Sequence, residues 1–178
     1  MSVPHEPDAV TGPAPSKSYS DCHFCQRMAD PTPLRDRLVF EDGSFHVSHQ
    51  LEEDGPSYLG NLLIQTKRHA EGMAELTELE GQELGSLIQQ TSRALKSCTA
   101  AAWTYVFSFT EAFRHVHVVV MARYPNTPKQ YVRLAITDWP EAPKGGRAEV
   151  AQLSQKLRDS MVPLRGGEAT GRVMRRTP

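Results

Sequence analysis

Apolar and polar positions along the chain follow a strand period at first, switch to a helix period, and then switch back. Residues 37–40 and 44–48 are short β-prone runs flanking Glu41-Asp42-Gly43, whose Asp-Gly step signals a hairpin turn. After the turn residues Asp54, Gly55, Pro56 and Ser57, residues 60–66 (GNLLIQT) read as a buried strand. From Thr77 the period becomes helical. Thr77 can cap, Glu80 stands three residues on as in a capping box, and Leu84, Leu87, Ile88, Thr91 and Leu95 share one face. This predicts a long helix over 78–98. Residues 103–109 and 115–122 return to β character, and an amphipathic helix over 147–160 follows the Pro/Gly-rich stretch 124–146. Strands on both sides of one long helix predict an α+β antiparallel meander.

Both ends lack any apolar period. Residues 1–20 carry Pro4, Pro7, Pro13 and Pro15 among scattered Ser, Gly and Thr, which predicts a disordered N-terminal arm. Residues 163–178 carry Arg165, Arg172, Arg175 and Arg176 against Glu168, which predicts a disordered basic tail. The ordered domain is expected over 21–162, a normal size for a single domain. The 20 Lys and Arg are balanced by 21 Asp and Glu, for a formal net charge of −1, which argues against strong nucleic-acid binding. The apolar run 116–122 is broken by His117 and falls far short of the ~20 residues that a membrane span needs. The opening MSVPHEPDAV lacks the pattern of a secretory signal, so a cytoplasmic location is expected.

The chemistry-bearing residues are cysteines and histidines. Three cysteines cannot make a disulfide framework, and two of them form the Cys-x-x-Cys pair Cys22 and Cys25. In a reducing compartment such a pair is either redox-active or half of a metal site. Strand alternation over 115–122 puts His115, His117, Val119 and Met121 on one face and Val116, Val118 and Val120 on the buried one. Two imidazoles side by side in an apolar strand are costly unless ligation or hydrogen bonding compensates them. With His69, the cysteine pair gives a candidate Cys₂His₂ set of the kind tetrahedral zinc accepts. Spacing alone does not choose among the histidines, since His5, His23, His46 and His49 also compete.

The segment GNLLIQTKRHAE ending around His69, then a capped long helix, then HVHVVVMAR over 115–123, resembles the HIT (histidine triad) family of nucleotide hydrolases and transferases over residues 22–124. The leading Cys-x-x-Cys is similar to its zinc-containing bacterial branch. The resemblance implies a five-stranded antiparallel sheet with one long helix and a C-terminal helix, usually paired as a homodimer. It implies structural zinc held by Cys22, Cys25, His69 and His115. It also implies that His117 is the nucleophile that attacks the α-phosphate of a purine nucleotide or nucleoside polyphosphate and forms a transient nucleotidyl-histidine. A neutral imidazole is a competent nucleophile near pH 7.

The departures from the family pattern matter equally. The third histidine, which in the family contacts phosphate, is Val119. Glu111 stands where a neutral donor is usual, and a carboxylate about 5 Å from a phosphate costs about 3 kcal/mol. Asn61 replaces a histidine at the start of the central strand, and the ribose-binding position falls near His49. Asn61, Glu111, Val119 and His49 are therefore the expected substrate-binding positions, with Lys67, Arg68, Arg114 and Arg123 as sources of substitute charge. Loss of one preorganised donor typically reduces rate by about 10²–10³. A slow nucleotidyl hydrolase is expected, against two alternatives: a catalytically degenerate zinc-stabilised nucleotide-binding or scaffold protein, and a dithiol redox protein.

Overall fold

A computed structural model describes residues 21–29, 32–111 and 113–161; the expected arm 1–20 and tail 163–178 lie outside these residues. The elements are α1 (His23–Ala29), β1 (Leu38–Glu41), β2 (Phe45–His49), β3 (Ser57–Tyr58), β4 (Asn61–Thr66), α2 (Glu78–Thr99), β5 (Trp103–Phe107), β6 (His117–Arg123), β7 (Lys144–Gly145) and α3 (Arg147–Ser160). Five strands form one antiparallel sheet in the order β1-β2-β4-β6-β5, and β3 pairs with β7 in a separate two-stranded ribbon. The α+β architecture expected from the sequence is the one observed, with both expected helices in place. None of the helices in the described residues is long and apolar enough to cross a membrane.

The long helix begins where its caps dictate. The Thr77 hydroxyl accepts from the Glu80 backbone N–H, and the Glu80 carboxylate accepts from the Thr77 N–H at 2.8 Å, so two donors of the first turn are satisfied locally. Glu80 also pairs with Arg68 at 2.8 Å. The Arg68 contact, followed by the Thr77 amide, holds the Glu80 carboxyl down at about 2 and ties the end of the β4 turn to the start of α2.

Both α2 and α3 cover one face of the sheet. Val118, Val120 and Ala122 of β6 meet Leu84, Leu87 and Leu95 of α2 and Leu153 and Leu157 of α3, with Phe45, Val47, Leu62 and Ile64 filling the layer between. Entry into β4 depends on Gly60, which has φ +87°; a Cβ there would stand 2.8 Å from the Cβ of Ala122.

The opposite face departs from a half-exposed strand surface. It is covered at one end by Cys22 and, from α1, Phe24 and Cys25 over Leu63, and at the other by Ile136, Trp139 and Ala142 over Tyr58 and Met121. Those last residues come from the Pro/Gly-rich stretch, which folds back through two 3-10 turns, Lys129–Tyr131 and Arg133–Asp138. Isolated apolar residues in irregular backbone carry no period, so this second layer leaves no pattern in the sequence. Both ends of the last strand pair also differ from expectation: β5 stops at Phe107 and β6 starts at His117, with His115 in the approach.

Candidate metal centre and adjoining cavity

Four donors converge where α1 crosses the sheet. Cys22 precedes α1 and Cys25 lies one turn along it, His69 sits in the turn after β4, and His115 just before β6; their ligand atoms all lie within 4.8 Å of one another. Cys22 Sγ is 3.4 Å from His115 Nδ1, Cys25 Sγ is 3.5 Å from the same atom, and Cys25 Sγ is 3.3 Å from His69 Nδ1. A tetrahedral ion with metal–sulfur bonds of about 2.3 Å and metal–nitrogen bonds of about 2.0–2.1 Å places S and N about 3.6 Å apart. The observed spacing fits that geometry.

The protonation pattern fits it too. His115 Nε2–H donates to the Thr66 carbonyl at 2.8 Å, and because a carbonyl can only accept, the proton is fixed on Nε2 and the Nδ1 lone pair faces the sulfurs. This is the outer hydrogen bond that orients a metal-ligating imidazole. Burial, and then the neighbouring Cys22 thiol, push the Cys25 thiol up to about 12. A redox dithiol needs the opposite, a thiolate stabilised near neutral pH. Without a cation the Cys25 thiol would stay protonated, which disfavours the dithiol reading. Cys22, Cys25, His69 and His115 fit a structural zinc site, with all four positions taken by protein.

Two residues beyond His115, His117 belongs to a different site. Its Nδ1–H donates to the carbonyl of His115 at 2.7 Å, which leaves the Nε2 lone pair without a partner among the described residues. The ring of Phe24 stacks on it, with centroids 5.0 Å apart and 27° between planes. Beside it opens a cavity of about 360 Å³ lined on the helix side by His23, Phe24 and Arg27 and on the sheet side by Gln50, Asn61, Leu63, His117 and Val119. Phe107, Phe113 and Met121 complete the wall. The Gln50 amide nitrogen and the Asn61 amide oxygen are buried without a hydrogen-bond partner among the described residues.

The sequence positions divide on this geometry. The cavity brings His117, Asn61 and Val119 together. His49 is elsewhere: it is fully buried, its Nδ1–H donates to the Gln50 carbonyl at 2.6 Å, and its Nε2 accepts from the Gly60 N–H at 2.9 Å. Both ring nitrogens serve the backbone, and Gln50, the next residue, is the one that faces the cavity. Glu111 is exposed and is not among the described lining residues, so its charge acts through solvent. Three of the four expected cations are engaged in ion pairs, Lys67 with Glu41 at 2.7 Å, Arg68 with Glu80 at 2.8 Å and Arg114 with Glu71 at 3.3 Å. The fourth, Arg123, has its Nε buried without a partner among the described residues and is not one of those that line the cavity. Phe24 and Arg27 leave no signal in the sequence, and His23 stood out there only as a competing metal ligand, because α1 has seven residues, too few for an apolar period to register.

No protein-family model and no curated protein sequence matches the chain. Solved structures do match. A Hit-like protein involved in cell-cycle regulation from Bartonella henselae superposes with a TM-score of 0.62 at 15% identity, covering 82% of this chain and 100% of that one. A hypothetical histidine triad nucleotide-binding protein from Sulfolobus tokodaii superposes with a TM-score of 0.57 at 20% identity, covering 78% and 91%. A Zn-bound histidine triad family protein from Mycobacterium smegmatis gives 0.56 at 19%, covering 79% and 93%. At these identities the likeness is one of fold, and the fold is HIT-like.

Proposed function

We propose that this HIT-like chain is a zinc-stabilised nucleotide-binding protein and a slow nucleotidyl hydrolase, acting on a nucleoside phosphate or dinucleoside polyphosphate. The observation that carries this reading is the His117 imidazole, fixed by the His115 carbonyl as the Nδ1–H tautomer with Nε2 open beside a cavity of ligand size. In the first step Nε2 attacks the α-phosphorus, a P–N bond forms, and the P–O bond to the leaving group breaks with its electron pair. Water then attacks the same phosphorus, the P–N bond breaks, the water's proton passes to solvent, and a nucleoside monophosphate departs. Dividing one displacement into two lowers each barrier. The Asn61 and Gln50 amides offer an acceptor and a donor to sugar hydroxyls. Zinc held by Cys22, Cys25, His69 and His115 would fasten α1 to the approach to β6, a structural role apart from His117. The chain works in the cytoplasm, where Cys22 and Cys25 stay reduced for the metal.

Rates of AMP release from model adenylates test this. The wild type turns over slowly and His117→Asn does not; equal rates refute the assignment. A binding or scaffold protein without catalysis is the second reading, supported by the apolar Val119 and by the ion pairs that occupy Lys67, Arg68 and Arg114. Calorimetric titration with AMP and GMP separates the two, since tight binding without turnover favours a sensor and no binding favours a scaffold. We also place a second copy of the chain against the β5 edge, where Trp103 and Val106 are 64% and 47% exposed on the outermost strand; sedimentation equilibrium checks the dimer.

A further inference from the structure

A phosphate-bearing ligand needs a cation at the cavity, and Lys67, Arg68 and Arg114 do not supply one, because each already faces a carboxylate. The helix α1 brings a different one. Arg27 lies three residues after Phe24 and four after His23, and all three line the same cavity. Phe24 stacks on His117, and one helical turn advances about 5.4 Å, so Arg27 occupies the next turn of the wall that stands over His117. It has no ion pair and no hydrogen bond with any described residue. Burial draws its guanidinium below the ordinary value.

A second observation points the same way. Arg37 is pushed down to about 10, first by burial and then by the charge of Arg27, with Asp36 acting the other way, so the two guanidinium groups stand close enough to feel each other. No carboxylate is among the described residues lining the cavity. A half-buried guanidinium in a wall without a carboxylate is an unfavourable arrangement that a phosphate relieves, and guanidinium groups are matched to phosphate oxygens in geometry and charge.

We propose that Arg27 is the phosphate-recognising residue of this cavity, delivered to it by the metal-tethered helix, and that it selects nucleoside phosphates over nucleosides. The inference rests on the nucleotide reading above, and assigns to α1 the charge that position 119 lacks.

The test is calorimetric titration of the zinc-loaded full chain with AMP, adenosine and inorganic pyrophosphate. Wild type, Arg27→Gln, Arg27→Lys and Lys96→Gln are compared, the last as an exposed net-charge control on α2; zinc content and melting temperature are measured for each. We expect the wild type to bind AMP about tenfold or more tightly than adenosine. Arg27→Gln should bring that ratio close to one with adenosine affinity unchanged, Arg27→Lys should keep part of it, and Lys96→Gln should match the wild type. An unchanged AMP-to-adenosine ratio in a zinc-loaded Arg27→Gln protein overturns the proposal. If the wild type binds neither AMP nor adenosine, the nucleotide reading fails. In that event pyrophosphate binding that disappears in Arg27→Gln still supports Arg27 as a phosphate-recognising residue, and its absence overturns that role as well.

Discussion

The ring of Phe24 lies on the imidazole of His117, 5.0 Å between centroids, and Phe24 stands between the two cysteines of the metal centre. The metal therefore positions a wall of the cavity as well as holding the fold. Chelation should release α1 and take Phe24 and Arg27 away from His117 while the sheet and its two-helix layer stay assembled. A site whose free zinc exceeds its Kd a thousandfold contributes about 4 kcal/mol. For a chain of this size that corresponds to a fall in melting temperature of roughly 8–16 °C. We expect about one zinc per chain by metal analysis, a drop of that size with chelator or in Cys22→Ser, and loss of nucleotide binding at temperatures where far-ultraviolet circular dichroism is still native. A melt that chelator leaves unchanged would count against the zinc site.

Val119 faces the cavity beside His117 without a donor to offer. Replacing it with histidine puts an N–H on the same face, two residues along β6. One preorganised donor is worth about 10²–10³ in rate, and an engineered one less, so Val119→His should raise AMP release at least about tenfold. Single-turnover measurement of AMP release checks it, with an unchanged melting temperature as control. No gain would mean that position 119 does not see the phosphate.

Acid should destabilise the protein through His49. Burial is the main cause that draws its pKa down to about 4, from about 6.5 in an unfolded chain, and His46 shifts in the same direction. The folded state keeps the ring neutral because Nε2 must accept from the Gly60 N–H, and a proton there would turn donor against donor. The unfolded state therefore binds more protons between about pH 6.5 and 4. Stability is fully present above that window and is lost as pH falls through it, by roughly 3 kcal/mol for His49. Urea midpoints from pH 7.5 to 4.5 measure the slope, and it should persist in Cys22→Ser, where metal release cannot contribute.

Gly60 carries both a positive φ and a close contact. An alanine there would adopt φ +87° and place its Cβ 2.8 Å from the Ala122 Cβ, an atom that cannot move without its strand. Strain and overpacking together should cost about 2–4 kcal/mol. Gly43→Ala, with open space around the added carbon, should stay near neutral under the same denaturant titration. Equal effects would show that the entry to β4 is not tightly held.

Local chemistry made much of this protein legible in its sequence. The Thr77 and Glu80 capping box places the start of α2 because the cap is made within four residues. The alternation in β6 separates Val118 and Val120 from His117 and Val119 because side chains in a strand alternate whatever packs above them. The Cys-x-x-Cys pair is visible because its spacing is local, whereas its two imidazole partners are 44 to 93 residues away and could be assigned only by likeness to a family.

Tertiary structure alone decided the rest. His49 and Gln50 exchange roles because the bend into β4 turns one ring onto the Gly60 amide and the other side chain to the cavity. Glu111 does not line the cavity, and three expected cations are drawn to Glu41, Glu80 and Glu71, which are distant or unrelated by pattern. Arg27 reaches the cavity only because a seven-residue helix, too short to be stable alone, is held against the sheet by its cysteines and by Phe24. Periods and caps are properties of neighbouring residues and can be read from the chain. Which charge meets which partner depends on distances set by the whole fold.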